Sequence, residues 1–145
     1  FAIKDDRGEI AYQVEGSFFQ IPKTFTIYDA YGEQVSEISK EFFTLLPRFT
    51  IQLRNGSNFV IRKKLTFFRD KYEFDDLGLR IEGNIWDLNF KLLDDRDQVI
   101  AEIRKEIFHL TSTYTVTVYE DSYADLVITL CVAIDYVEML ESQSN

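Results

Sequence analysis

The chain has 145 residues, 46% of them hydrophobic and 15% aromatic, and a formal net charge of −9. That is the length of one domain with ample material for a core, which excludes a disordered chain. The acidic balance excludes a general nucleic-acid binder, because the surface repels phosphates unless a basic patch gathers locally. The single cysteine, Cys131, excludes an internal disulfide, and its apolar surroundings point to an ordinary buried thiol.

From the N-terminus, turn signals punctuate the chain at regular intervals. They are Asp5-Asp6-Arg7-Gly8-Glu9, Asp29-Ala30-Tyr31-Gly32-Glu33, Arg54-Asn55-Gly56-Ser57, Asp75-Asp76-Leu77-Gly78 and Asp94-Asp95-Arg96-Asp97. Asp and Asn bond their own backbone in turns, and Asn-Gly is the strongest short hairpin cue. Between them recurs a fourteen-residue frame, apolar-x-[Gly/Lys]-x-apolar-x-x-apolar-x-x-x-[Phe/Tyr]-x-apolar. Copies begin at Val14, Ile38, Ile61 and Ile103, and a shortened copy, IEGNIWDLNFKL, begins at Ile81. A steady period of about 20–24 residues signals one supersecondary unit repeated.

Each copy has a break inside it, at Ile21-Pro22-Lys23, Leu46-Pro47-Arg48, Arg69-Asp70-Lys71 and Thr111-Ser112-Thr113. The repeat is therefore a strand, a tight turn and a second strand, and the whole reads as an antiparallel meander of eleven strands. Val35 to Ile38 breaks strict alternation by one residue, which suggests a β-bulge. Near the C-terminus the pattern changes. Residues 123–140, YADLVITLCVAIDYVEML, are too long for a typical strand and normal for a helix. Leu126, Val127, Ile128, Leu130, Cys131, Ala133, Ile134 and Val137 put apolar side chains on all its sides, as a buried helix requires. Asp135 and Glu138 interrupt it, so it is not expected to cross a membrane.

An aromatic meander ending in one hydrophobic helix suggests a mainly β fold in which the sheet closes into a barrel around that helix. The chain resembles the LURP-one-related family of the tubby C-terminal-like superfamily. The match rests on Asp29-x-x-Gly32-Glu33-x-Val35, Val14-Glu15-Gly16-x-Phe18-Phe19, Ile81-Glu82-Gly83-x-Ile85-Trp86 and Ala133-Ile134-Asp135. The resemblance implies a closed antiparallel barrel of twelve strands wrapped around the helix, as a single domain over 1–145. With eleven strands counted, the first strand is expected to precede Phe1.

The chemistry is sparse. His109 is the one histidine and reads as a strand residue. No nucleophile constellation or phosphate-cradling glycine loop is present, so no catalytic residue is assigned and no enzyme activity is expected. The acidic clusters Asp94-Asp95-Asp97, Asp75-Asp76 and Glu120-Asp121-Asp125 fit no EF-hand spacing, and no metal or cofactor is expected. The one positional signal for binding is basic. Lys40, Lys63 and Lys105 share the [Gly/Lys] slot of the frame, with Arg62, Lys64, Arg69, Lys71 and Arg104 close by. Such groups could hold lipid or inositol phosphates, and tubby proteins, similar in fold, bind phosphoinositides through basic strand residues. The expectation is a non-enzymatic binding or scaffold module, cytoplasmic and peripheral to membrane, for phospholipid or phosphoinositide headgroups. The alternatives are a protein-interaction or structural domain without lipid binding, and a barrel holding a small apolar ligand.

Overall fold

The structure, a computed structural model, describes residues 1–16, 24–41, 48–65, 70–74, 78–84, 88–108 and 111–144. Within these, side chains are described except at 63–65, 70–74, 106–108, 111–113 and 137–144. The chain divides into two compact units, Phe1–Lys63 and Lys64–Asn145.

The eleven strands counted from the sequence all appear: β1 (Ala2–Lys4), β2 (Ile10–Gly16), β3 (Thr24–Asp29), β4 (Gln34–Lys40), β5 (Arg48–Leu53), β6 (Asn58–Leu65), β7 (Asp70–Phe74), β8 (Arg80–Asn84), β9 (Asn89–Leu93), β10 (Val99–Phe108) and β11 (Thr111–Val118). A short 3₁₀ turn at Asp121–Tyr123 leads into α1, Ala124–Ser144. Strands pair antiparallel with their chain neighbours, in one sheet whose order begins β1-β2-β3-β4-β5-β6 and another of order β8-β9-β10-β11.

The repeated frame is a register rule. In four of the five copies its first and last residues face each other across the hairpin: Val14 with Ile27, Ile38 with Ile51, Ile81 with Leu92 and Ile103 with Val116. The [Gly/Lys] slot faces the aromatic: Gly16 with Phe25, Lys40 with Phe49, Gly83 with Phe90 and Lys105 with Tyr114. Because side chains alternate between faces, slot and frame ends share the apolar face. Ile27, Ile38, Ile51, Leu92 and Ile103 on that face are fully buried.

Three of the turns are built alike. The Oδ1 of Asp5, Asp29 or Asp94 accepts two backbone N–H groups at 2.9–3.0 Å, from Arg7 and Glu9, from Tyr31 and Glu33, and from Arg96 and Gln98. The position that needs positive φ is glycine at Gly32 (φ 81) and Asp97 (φ 61) in the third. Asp tolerates that region better than most residues. After each of these turns one residue of the outgoing strand has no opposite number on the incoming strand: Ala11, Val35 and Ile100. The bulge read at Val35 is thus real. It turns both Val35 and Ser36 inward, at 0% and 1% exposure.

One expectation is overturned. The closed antiparallel barrel wrapped around the helix is not found: among the described residues the two sheets are open. The reason is physical. A repeat specifies pairing between chain neighbours, whereas closure needs the first and last strands to pair, with matched tilt and shear. No local motif encodes that. The shortened repeat at Ile81 also gives strands of only five residues each, β8 and β9.

The helix itself is where the sequence placed it, Ala124–Ser144 against an expected 123–140. Leu126, Val127, Ile128, Leu130, Cys131, Ala133 and Ile134 are all buried, as are Thr129 and Val132 between them. Val137 falls outside the described side chains. Thr129 is satisfied by donating to the Asp125 carbonyl at 2.6 Å. Burial pushes the Cys131 thiol up to about 12, so it stays protonated and inert. Within its unit, α1 packs on β11.

Candidate functional site

The basic residues singled out from the frame are divided between the units. In the first, Lys40 ends β4, half-buried and level with Phe49 and Ile61 rather than with Lys63. Arg62 on β6 faces Arg48, whose Nε lies 3.3 Å from Glu41. Lys63 lies in β6 with its side chain outside the described set. In the second unit, Lys64 lies in β6 and Lys71 in β7, again without described side chains, and Arg69 falls outside the described residues altogether, as does His109. Arg104 and Lys105 are exposed on β10.

The structure brings those last two together with a lysine the frame did not mark. An open groove of about 480 Å³ lies on the sheet β8-β9-β10, and Lys91, Arg104 and Lys105 line it with Glu82, Asn89 and Glu102. Its floor is built by Gly83, where β8 has φ 124 and an added Cβ would sit 2.7 Å from the Asn89 carbonyl oxygen. Only glycine lets the two backbones close to that distance. Across the strands Glu82 faces Lys91 and Lys91 faces Glu102, an alternating row on the solvent side. Glu102 lies 3.5 Å from Lys91 Nζ and 3.8 Å from Arg104. Glu82 is drawn to Arg80 at 3.6 Å, and Arg80 also bonds Asp97. The lining charges sum to a small positive excess.

Lys105 also reaches the interior edge. Its strand partner Tyr114 is half-buried, and Asp135, half-buried on α1, raises the Tyr114 hydroxyl above its ordinary range after burial itself. Burial likewise raises the Asp135 carboxyl, and the Lys105 ammonium pulls it back down.

A second groove, of about 470 Å³, lies in the first unit beside Ile10, Gln13 and Tyr28; its charged lining groups, Glu15 and Asp29, are acidic and would repel a phosphate. The expected small-molecule lumen has no place in open sheets. Among the described residues no cluster of three or more His, Cys, Asp or Glu is placed to hold a metal ion, and no helix is long and apolar enough to cross a membrane.

Sequence reasoning missed Lys91 and Glu82 because cross-strand neighbours depend on register, and a one-residue slip moves every side chain to the other face. The shortened repeat, with its glycine, was the signal available.

YxjI of Bacillus subtilis (strain 168), described as an uncharacterized protein, is 27% identical over 134 residues, covering 92% of this chain and 81% of that protein. No solved structure matches. The family model described as LURP-one-related matches residues 1–135, nearly the whole chain, and the chain belongs to the LURP-one-related family.

Proposed function

We propose that the chain is a non-enzymatic binding or scaffold module of the tubby-like type, and that its groove on β8-β9-β10 takes the phosphate of a phospholipid or phosphoinositide headgroup at a membrane surface on the cytoplasmic side. The observation that carries this reading is a groove bordered by Lys91 and Arg104 on the solvent side of the strands, with Lys105 reaching its edge from the other face, in a chain whose net charge is −9. Cations gathered against an acidic background mark a local preference for an anion, and Arg adds a fork suited to phosphate oxygens. Glu102 limits the affinity, since it already shares Lys91 and Arg104.

That same neutralisation favours the second reading, an interaction domain for a protein partner without lipid binding: a mixed row of Glu82, Lys91, Glu102 and Arg104 is typical of a polar interface rim. Co-sedimentation with anionic vesicles at low salt separates them. Binding that falls when Arg104→Gln and Lys105→Gln are combined supports the headgroup reading. Absence of binding, or binding indifferent to the double substitution, leaves the protein-partner reading.

A further inference from the structure

The groove on β8-β9-β10 carries carboxylates as well as cations, and their placement is specific. Glu82, Lys91 and Glu102 lie level with one another on three adjacent strands. Arg104 is the next residue of β10 on that same solvent face, diagonal to Lys91 and within reach of a long side chain. All four line the groove. A bare anion gains nothing from two carboxylates, and a ligand with several phosphates is repelled by both.

The two glutamates are not equivalent. The Glu102 side chain is 21% exposed and lies 3.5 Å from Lys91 Nζ and 3.8 Å from Arg104, so it holds the two cations side by side. The Glu82 side chain is 63% exposed, and its ion-pair partner among the described residues is Arg80, 3.6 Å away. Arg80 also bonds Asp97, so it keeps a partner when Glu82 turns elsewhere. An exposed pair of this kind contributes little and exchanges readily. Glu82 is therefore the available acceptor of the groove, one strand away from Lys91.

We propose that the groove takes a phosphate ester that also bears a primary ammonium, with the phosphate between Lys91 and Arg104 and the ammonium on Glu82. It rests on the headgroup reading and names the chemical class: the 2-aminoethyl phosphate unit common to ethanolamine and serine headgroups and to their water-soluble esters. In that unit the ammonium stands two carbons beyond the ester oxygen, a reach comparable to the roughly 5 Å between adjacent strands. A face with Lys91 and Arg104 on one side and Glu82 on the other is complementary to a ligand carrying both signs.

Two matched pairs of ligands test it at low salt. The first pair is phosphatidylcholine vesicles containing phosphatidylserine or, at the same mole fraction, phosphatidylglycerol, which gives equal surface charge. The second is soluble glycerophosphoethanolamine against glycerophosphoglycerol, which isolates the amine from the serine carboxylate and from the bilayer. The full chain is expected to prefer the amine-bearing member by about two- to fivefold, the range of an exposed ion pair. Glu82→Gln, at an exposed position, removes the preference and keeps binding to the glycerol member. Glu102→Gln tightens both members alike, by releasing Lys91 and Arg104, and keeps the preference. Preference among vesicles alone supports a membrane lipid as the source, and preference among the soluble esters supports a site that needs no bilayer. Equal binding within both pairs, or a preference that survives Glu82→Gln, overturns the proposal and leaves the headgroup reading standing. No binding to any of the four ligands overturns both.

Discussion

Hairpins β2–β3 and β10–β11 obey one register rule and fill its variable slot in opposite ways. In the first unit Gly16 lies under the Phe25 ring, where a Cβ would stand 2.8 Å from Cε1. Aromatic cover over a strand glycine shields backbone that no side chain protects. In the second unit the slot holds Lys105, opposite the half-buried Tyr114. The slot is therefore a place on the apolar face that tolerates either no side chain or one long enough to carry its charge past the ring. The lesson is that one position can be purely a packing device in one repeat and a charged junction in another, with the backbone unchanged.

The comparison can be broken first at its constant part. Ile38→Ala and Ile103→Ala remove fully buried frame residues, one from each unit, and each is expected to cost about 2–5 kcal/mol in denaturant unfolding. Losses of similar size show that the frame ends carry both hairpins alike; a near-neutral result at either would break the equivalence.

The slot comes next. Gly83→Ala drives a Cβ against backbone at 2.7 and 2.8 Å and at φ 124, for about 3 kcal/mol of strain and overpacking. Gly16→Ala meets only the edge of a ring that can rotate aside, for about 1 kcal/mol. Equal costs, read from unfolding midpoints, would mean that the glycines serve the same purpose, against the geometry.

Two carboxylates sharpen the contrast through pH, with opposite signs. Asp135 has a folded pKa above its ordinary value of 3.8, chiefly through burial. Its ionisation therefore opposes folding above the folded pKa, and the penalty is relieved as pH falls toward 3.8. Asp135→Asn should be more stable than wild type at neutral pH, with the gap closing in acid. Asp29 is the reverse. Its hydrogen bond from Arg54, 2.8 Å away, holds the carboxyl below 3.8. That contribution is complete above 3.8 and is lost as pH falls through the folded pKa. Asp29→Asn should be slightly less stable than wild type at neutral pH and equal to it in strong acid. Thermal melts across the acid range read both; parallel profiles for the two variants would contradict the assigned causes.

What the residues disclosed in advance was local. The frame ends announced each hairpin because a strand pair joined by a short loop has its register fixed nearby. The helix declared itself by length and by apolar residues on every side. The bulge at Val35 was visible because Val35 interrupts the alternation of large side chains, whereas the equivalent bulge at Ile100 is masked by the small Ala101 beside it. The open sheets and the groove were not legible for a shared reason. Both depend on which strands meet and in what register beyond the hairpin, and a fourteen-residue frame carries no information at that range. Lys105 was marked by its slot; Lys91, across the ladder from Glu102, was not.

Cys131 offers a use that its chemistry alone would hide. It is the chain's only thiol, 2% exposed and protonated well past neutrality. A thiol reagent can reach it only when α1 leaves its seat, so the labelling rate is a clock for that event. No engineered probe is needed, since the chain carries its own stopwatch for helix detachment.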